Sequence, residues 1–386
     1  MSSPFASAED WPNFRGPNRN GISWETGWFS QGAKLKEHWR AEVGLGFSGA
    51  AVVGNRVYTA GYADKKDTIF CLKASDGTKV WTKSFKASKG SLFYQGGTSA
   101  TPTIADGRLF HFSREGELFC LNLATGRSIW EKHVVRDYEC RKPTWGYASS
   151  PVVIGDHIYL NAGDGGLAVK KTDGSLVWKN GKKDSGYATP VPFFQNGKLN
   201  LALLTEKTIK SISAADGKIN WSERFESGWG QNSTDPVISG DQVFVSGYNV
   251  KGKLLDLKDG QPVEGFKSET KNHVNGGVLI DGHLYNFSGK VENSRTTLDC
   301  MSWKTGETLW SHKGLGGGVL SGADGKLIII GEHGKLIIAK ANPKKFEPLF
   351  EKQLLEDPVW TQPTLANGKI YCRDGKGTLV CLSFVK

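Results

Sequence analysis

Apolar and polar positions along this chain fall into short strand-like runs, and each run is cut by a turn rich in Gly, Asn or Asp. Arg108 to Phe112 reads as one strand and Leu118 to Leu123 as the next, with a Gly-containing turn between them. No window of helical length places apolar residues at the i, i+3, i+4 spacing, and no run of about 18 apolar residues predicts a transmembrane helix. The pattern predicts an all-β protein built from many tight antiparallel hairpins.

A second periodicity lies above the strands. A turn followed four residues later by tryptophan recurs as Asp76-Gly77 to Trp81, Thr125-Gly126 to Trp130, Asp173-Gly174 to Trp178, Asp216-Gly217 to Trp221 and Thr305-Gly306 to Trp310. Two weaker copies stay in register, Asp259-Gly260 leading to Glu264 and Asn342-Pro343 leading to Phe350. A period of roughly 40 to 50 residues is that of four-stranded propeller blades. Gly supplies the positive φ of the turn, and the Trp ring is expected between neighbouring blades.

Setting aside about 35 leading residues leaves roughly 350, which at about 44 per blade gives eight blades. The chain ends agree with that number. The C-terminus offers three strands, Trp360 to Leu365, Lys369 to Arg373 and Thr378 to Phe384, while Lys36 to Arg40 is an orphan Trp strand near the N-terminus. Together they predict an eight-bladed β-propeller of four-stranded antiparallel blades, closed by the N-terminal strand. Residues 36–386 form the propeller, and residues 1–35 form an arm that packs on it, with Arg15 and Arg19 as its candidates to reach a ligand. Cys71, Cys120 and Cys300 each precede their Trp by ten residues and Cys381 matches them in the closing blade, so buried thiols in one repeated niche are expected rather than disulfides. Cys140 and Cys372 have no such assignment.

Charge adds little to this picture. The net charge is +10, yet the lysines are scattered over turns such as Lys65-Lys66 and Lys182-Lys183, so no nucleic-acid partner is expected. The first residues lack an apolar export segment, and Phe5 to Ala8 reads as the remnant of a cleavage region, which fits a periplasmic or extracellular protein. A monomer is expected.

The repeat Ala-x-Asp-Gly-x-x-x-Trp, present as Ala74 to Trp81 and Ala214 to Trp221, resembles that of pyrroloquinoline-quinone-like (PQQ-like) propellers. The opening Trp11-Pro12-Asn13-Phe14-Arg15-Gly16-Pro17-Asn18, followed by Asn20-Gly21-Ile22-Ser23, is similar to that of exported single-domain members. The resemblance covers nearly the whole chain and implies fold and export. Relatives include quinoprotein alcohol dehydrogenases and the propeller lipoprotein of the outer-membrane β-barrel assembly machine. Many such dehydrogenases hold PQQ and calcium beside a vicinal cysteine pair, and no two cysteines here are adjacent. The lipoprotein carries a lipidated cysteine at its mature start, whereas the first cysteine here is Cys71. PQQ, calcium and other metals are therefore not expected, and a PQQ-dependent dehydrogenase is the least favoured reading.

The site is expected on the loop-rich upper face, where the loops entering each innermost strand meet those between second and third strands. Non-repeat aromatics and amides gather there: Trp145, Tyr147, Tyr187, Trp229, Gln231, Asn232, Asn275, Trp360 and Gln362. Such a ring suits a polysaccharide or a protein partner. The alternative is a carbohydrate-active enzyme on the same face. A polysaccharide lyase would use His333 or His273 as base, Tyr94 or Tyr248 as acid, and Arg114 or Arg373 against a carboxylate; a glycoside hydrolase would use carboxylates such as Glu115 with Glu206. The competing reading makes the aromatics a plug of the channel mouth and the charges solvated turns.

Overall fold

Adjacent strands pair in chain order, and the meander repeats eight times. The computed structural model describes residues 8–90, 94–183, 185–356 and 358–385, so most of the suggested cleavage remnant, Phe5 to Ser7, lies outside the described residues. Blades 1 to 8 span 51–86, 103–133, 152–179, 191–224, 237–268, 278–312, 319–353 and 364–385, each innermost strand first. Blade 8 takes its outermost strand from the other end of the chain, where Lys34–Glu42 pairs antiparallel with Thr378–Val385. The orphan Trp strand thus closes the ring and leaves no sheet edge at the join.

One row of side chains explains the repeat. It crosses blade 1 as Ala51, Tyr58, Cys71 and Trp81, and recurs in blade 6 as Val278, Tyr285, Cys300 and Trp310. Small and large residues alternate along the row, an order that suits close packing between blades. The ten-residue interval from Cys to Trp is hairpin register: Cys120 faces Trp130 and Cys381 faces Trp39 in the same way. All six cysteines are free and buried, and burial pushes the Cys71, Cys120 and Cys300 thiols up to about 11.

The two ends of the motif act on different blades. Trp39 of blade 8 donates to the Ala74 carbonyl of blade 1 at 3.1 Å, Trp81 of blade 1 to Leu123 of blade 2 at 3.0 Å, and Trp178 of blade 3 to Ala214 of blade 4 at 3.0 Å. Each ring lies on the turn glycine of the blade it reaches. A Cβ at Gly77 would stand 2.7 Å from the Trp39 ring, and one at Gly126 2.5 Å from Trp81. Glycine is therefore required both for its positive φ and for this close approach. In blade 5 the matching Glu264 faces Leu255, and Phe266, two residues on, covers Gly306 of blade 6 instead. One extra residue precedes the ring in most outermost strands, for example Val80, Ile129 and Leu309, and these bulges blunt the exposed edges.

Helical segments among the described residues are a single short helix, Val134–Tyr138, and a 3-10 turn, Gly228–Gly230. The innermost strand of blade 8 is Thr364–Ala366 rather than beginning at Trp360. Pro363 has no N–H for a ladder, and the side chains of Thr361 and Gln362 bond instead to the carbonyls of Phe47 (3.1 Å) and Leu320 (2.9 Å).

The N-terminal segment enters the channel. Asp10 accepts from Gly54 and Asn367, and Glu25 from Gly368, all in turns of the lower face. Between these legs Trp11 bridges Val52 of blade 1, Pro12 accepts from Ile104 of blade 2, and Ile22–Ser23 runs parallel to the innermost strand of blade 7. Trp11, Trp28 and Phe29 are buried.

Candidate functional site

The arm decides what the channel can hold. Arg15 reaches the upper ends of blades 5 and 6, donating to the Gly277 carbonyl at 2.6 Å and standing 4.0 Å from Asp235. Burial pushes the Asp235 carboxyl up to about 6 despite the nearby guanidinium, and the same burial lowers the pKa of Arg15. Arg19 donates to the Val153 carbonyl of blade 3. Above the arm, Phe47 stacks on Trp360 with centroids 4.7 Å apart. A cavity of about 40 Å³ remains between them, bordered by Trp11, Arg15, Asn275 and Gln362, which is room for about one water molecule.

Several upper-face candidates are fastened to the fold. Arg373 is 1% exposed and donates to the carbonyls of Gly44, Ser48 and Ala60 and to the Thr59 hydroxyl at 2.6 to 3.0 Å, which ties blade 8 to blade 1. Burial lowers its pKa to about 10. Asn232 is fully buried and its amide nitrogen donates to Thr205, Glu206 and Phe225. Tyr147 packs on Phe112 in the core, its hydroxyl on the Arg141 carbonyl. Arg114 is buried and donates to the Tyr94 hydroxyl at 2.7 Å.

His273 stacks on Tyr248 at 4.6 Å, accepts from the Val291 N–H at Nδ1, and stands 3.3 Å from Gln231 through Nε2. Burial first, then Lys290, lowers its pKa to about 4, and both ring nitrogens are engaged. A general base needs an open lone pair, which this imidazole lacks. Glu115 is bound by Lys142 at 2.5 Å and by Ser88; burial opposes its ionisation, but these partners hold its pKa below the usual value. Glu206 packs against Gly230, half-buried. Among the described residues no group of three His, Cys, Asp or Glu converges as a metal site.

What stays open is narrower than the predicted ring. Trp145 and Tyr187 meet edge to face at 5.7 Å, both half-buried. Trp229 stands apart at 82% exposed, held at φ 60 in the Gly228–Gly230 turn. Left-handed backbone at a bulky residue is uncommon and needs a surrounding that enforces it. Here the Gly228 N–H bonds the Tyr248 carbonyl at 2.8 Å, and a Cβ at Gly228 or Gly230 would press on Tyr248 or Glu206. A cleft of about 360 Å³ opens elsewhere on the face, lined by His333, Glu332, Glu292 and Gln95 among others. Sequence reasoning passed over Phe47, Glu292 and the role of Glu332, whose contacts come from other blades. The polar turn Val291-Glu292-Asn293-Ser294 was the one available signal.

Comparison with known proteins extends this picture. A family model described as outer membrane protein assembly factor BamB matches residues 24–110, 65–311 and 294–385 in overlapping stretches. The BamB of Salmonella typhimurium is 23% identical over 361 residues, covering 86% of this chain and 83% of that protein. The crystal structure of BamB from Moraxella catarrhalis superposes with a TM-score of 0.67 at 14% identity, over 91% of this chain and all of that one. The quinohemoprotein alcohol dehydrogenase of Comamonas testosteroni reaches a TM-score of 0.68 at 12% identity, over 97% of this chain and 80% of that one. At such identities the structural likenesses speak for fold alone. No helix among the described residues is long and apolar enough to cross a membrane.

Proposed function

The chain belongs to the family described as outer membrane protein assembly factor BamB, and from that premise we propose that it is a periplasmic, protein-binding propeller that serves outer membrane protein assembly through its upper face. The observation that carries the reading is Trp229. An indole 82% exposed and locked at positive φ is a preformed anchor, and binding hot spots are enriched in such side chains. A protein is chosen over a polysaccharide because the relatives are named for protein assembly and because an indole this exposed gains most from a partner that encloses it.

What supports a reading without enzyme chemistry is the fastening of His273, Arg373, Arg114 and Glu115 to their own fold. Quinone chemistry is disfavoured on fit. PQQ is a planar tricarboxylate, the cavity above the arm has a volume of about 40 Å³, and the open cleft presents the exposed Glu292, which repels carboxylates. The residues present do not suit that cofactor.

Deleting the gene in the native host tests the proposal. Folded outer-membrane β-barrels, measured by their heat-dependent migration on gels, are expected to fall and to recover on complementation. Unchanged barrel levels contradict the assembly role.

A further inference from the structure

Strand register gathers lysines that the sequence scatters. Lys66 and Lys86 are direct partners on the third and outermost strands of blade 1, Lys66–Lys73 and Lys79–Lys86, and both are exposed. Lys65, next to Lys66 and at φ 61 in the hairpin turn, accepts at its carbonyl from the Ala87 N–H at 3.0 Å, and Lys89 follows two residues on. Four exposed lysines thus share the upper corner of one blade.

Like charges placed directly opposite each other destabilise a strand pair, so this arrangement calls for a counter-charge. The chain does not provide it. Among the described residues none of the four makes an ion pair or a side-chain hydrogen bond, whereas Lys83 on the same strand is matched by Glu131 at 3.0 Å and Lys182 on another upper loop by Glu139 at 2.6 Å. Glu115 reaches Ser88, between Lys86 and Lys89, but is held by Lys142 at 2.5 Å. Asp64 of the hairpin turn is then one carboxylate beside four lysines. Protection of the sheet edge explains only part of this. A lysine on an outermost strand blunts an exposed edge, which accounts for Lys86. Lys66 lies on the third strand with a neighbour on either side, Ala63 and Lys86, and Lys65 lies in a turn, so neither has an edge to blunt.

We propose that this corner binds an acidic segment of the partner protein, its carboxylates set against Lys65, Lys66, Lys86 and Lys89. A polypeptide is chosen over a lipid surface because the four lysines occupy one hairpin corner, which a few extended residues can span, and because that corner belongs to the upper face. The inference rests on the protein-partner reading but is tested apart from it. The purified full chain is titrated at low salt with fluorescent, blocked hexaglutamate and hexaglutamine, followed by anisotropy. Saturable binding of hexaglutamate is expected, at least about tenfold tighter than of hexaglutamine and weakening as salt is added. The double variant Lys66→Gln, Lys86→Gln is expected to lose about tenfold in affinity, while its melting temperature holds or rises because a repulsion has been removed. Lys182→Gln with Lys183→Gln takes the same charge from another exposed upper loop and is expected to change binding by less than about twofold, which separates the corner from the overall charge of +10. Absence of hexaglutamate binding, equal binding of both peptides, equal losses in the two double variants, or a lower melting temperature for the first overturns the site. Capture of the protein by phosphatidylglycerol vesicles through Lys66 and Lys86, with hexaglutamate unbound, overturns the choice of a polypeptide. If the site fails while barrel levels still fall on gene deletion, the assembly reading stands; if hexaglutamate binds at the corner while barrels are unchanged, the assembly reading fails and the site remains.

Discussion

The channel and the upper rim of this propeller are furnished alike, with arginine, acid, amide and tryptophan, yet they use these residues in opposite ways. In the channel and its seam, Arg15 and Arg373 direct most of their N–H groups at backbone carbonyls, with Nη1 of Arg15 and Nε of Arg373 left buried without a partner, and Trp11 lies buried against blade 1. At the rim, Trp229 instead turns its ring to solvent. The difference teaches that residue type does not mark a site. What marks it is how far packing and internal hydrogen bonds have already engaged the side chain.

The strongest way to break this comparison is to empty the channel. Removing residues 1–30 strips Trp11, Arg15, Trp28 and Phe29 from the interior, and the melting temperature is expected to fall by on the order of 10 °C. An unchanged melting curve would mean that the arm is not part of the folded core.

Next in size is the seam. Arg373→Met removes the donor that the Gly44, Ser48 and Ala60 carbonyls share, and a loss of about 3–5 kcal/mol is expected in denaturant unfolding. If Arg373 served a ligand instead, the variant would keep its stability.

A smaller, pH-dependent effect sharpens the buried side of the comparison. His111 is fully buried in blade 2, neither ring nitrogen has a partner, and burial lowers its pKa to about 3. The unfolded chain binds a proton near pH 6.5 where the folded one does not, so this residue's contribution is present above that pH and is lost as pH falls toward 3. His111→Phe lacks this proton uptake. Its stability relative to the parent protein is therefore expected to rise by on the order of 3 kcal/mol between pH 7.5 and pH 4.5, measured by urea unfolding at both values. A constant difference contradicts the burial account.

How far the fold was legible follows from how local its determinants are. The Asp-Gly turn, the Trp four residues on and the Cys ten residues before it all lie within one hairpin, so their spacing carried the blade count and the closure by Lys34–Glu42. The site was legible only as a set of loops. Arg15 meets Gly277 and Arg373 meets Ser48, contacts between distant parts of the chain that no spacing reveals. Tyr147, Asn232 and Arg373 stand beside Trp229 in the sequence because all fall on the same loop-rich face, and only packing separates the buried three from the exposed one. The positive φ of Trp229 depends on the close approach of Gly228 and Gly230 to blades 5 and 4, which the tripeptide itself does not announce.

The most direct test of the central claim is photo-crosslinking in intact cells with a photoreactive phenylalanine at position 229, paired with the same probe at Phe194, a 71% exposed position near the lower face. The account predicts an adduct at position 229 with an outer-membrane assembly protein, identified by mass spectrometry, and little or none at position 194. An adduct at position 194 with position 229 silent would contradict it, placing the working surface on the other side of the ring.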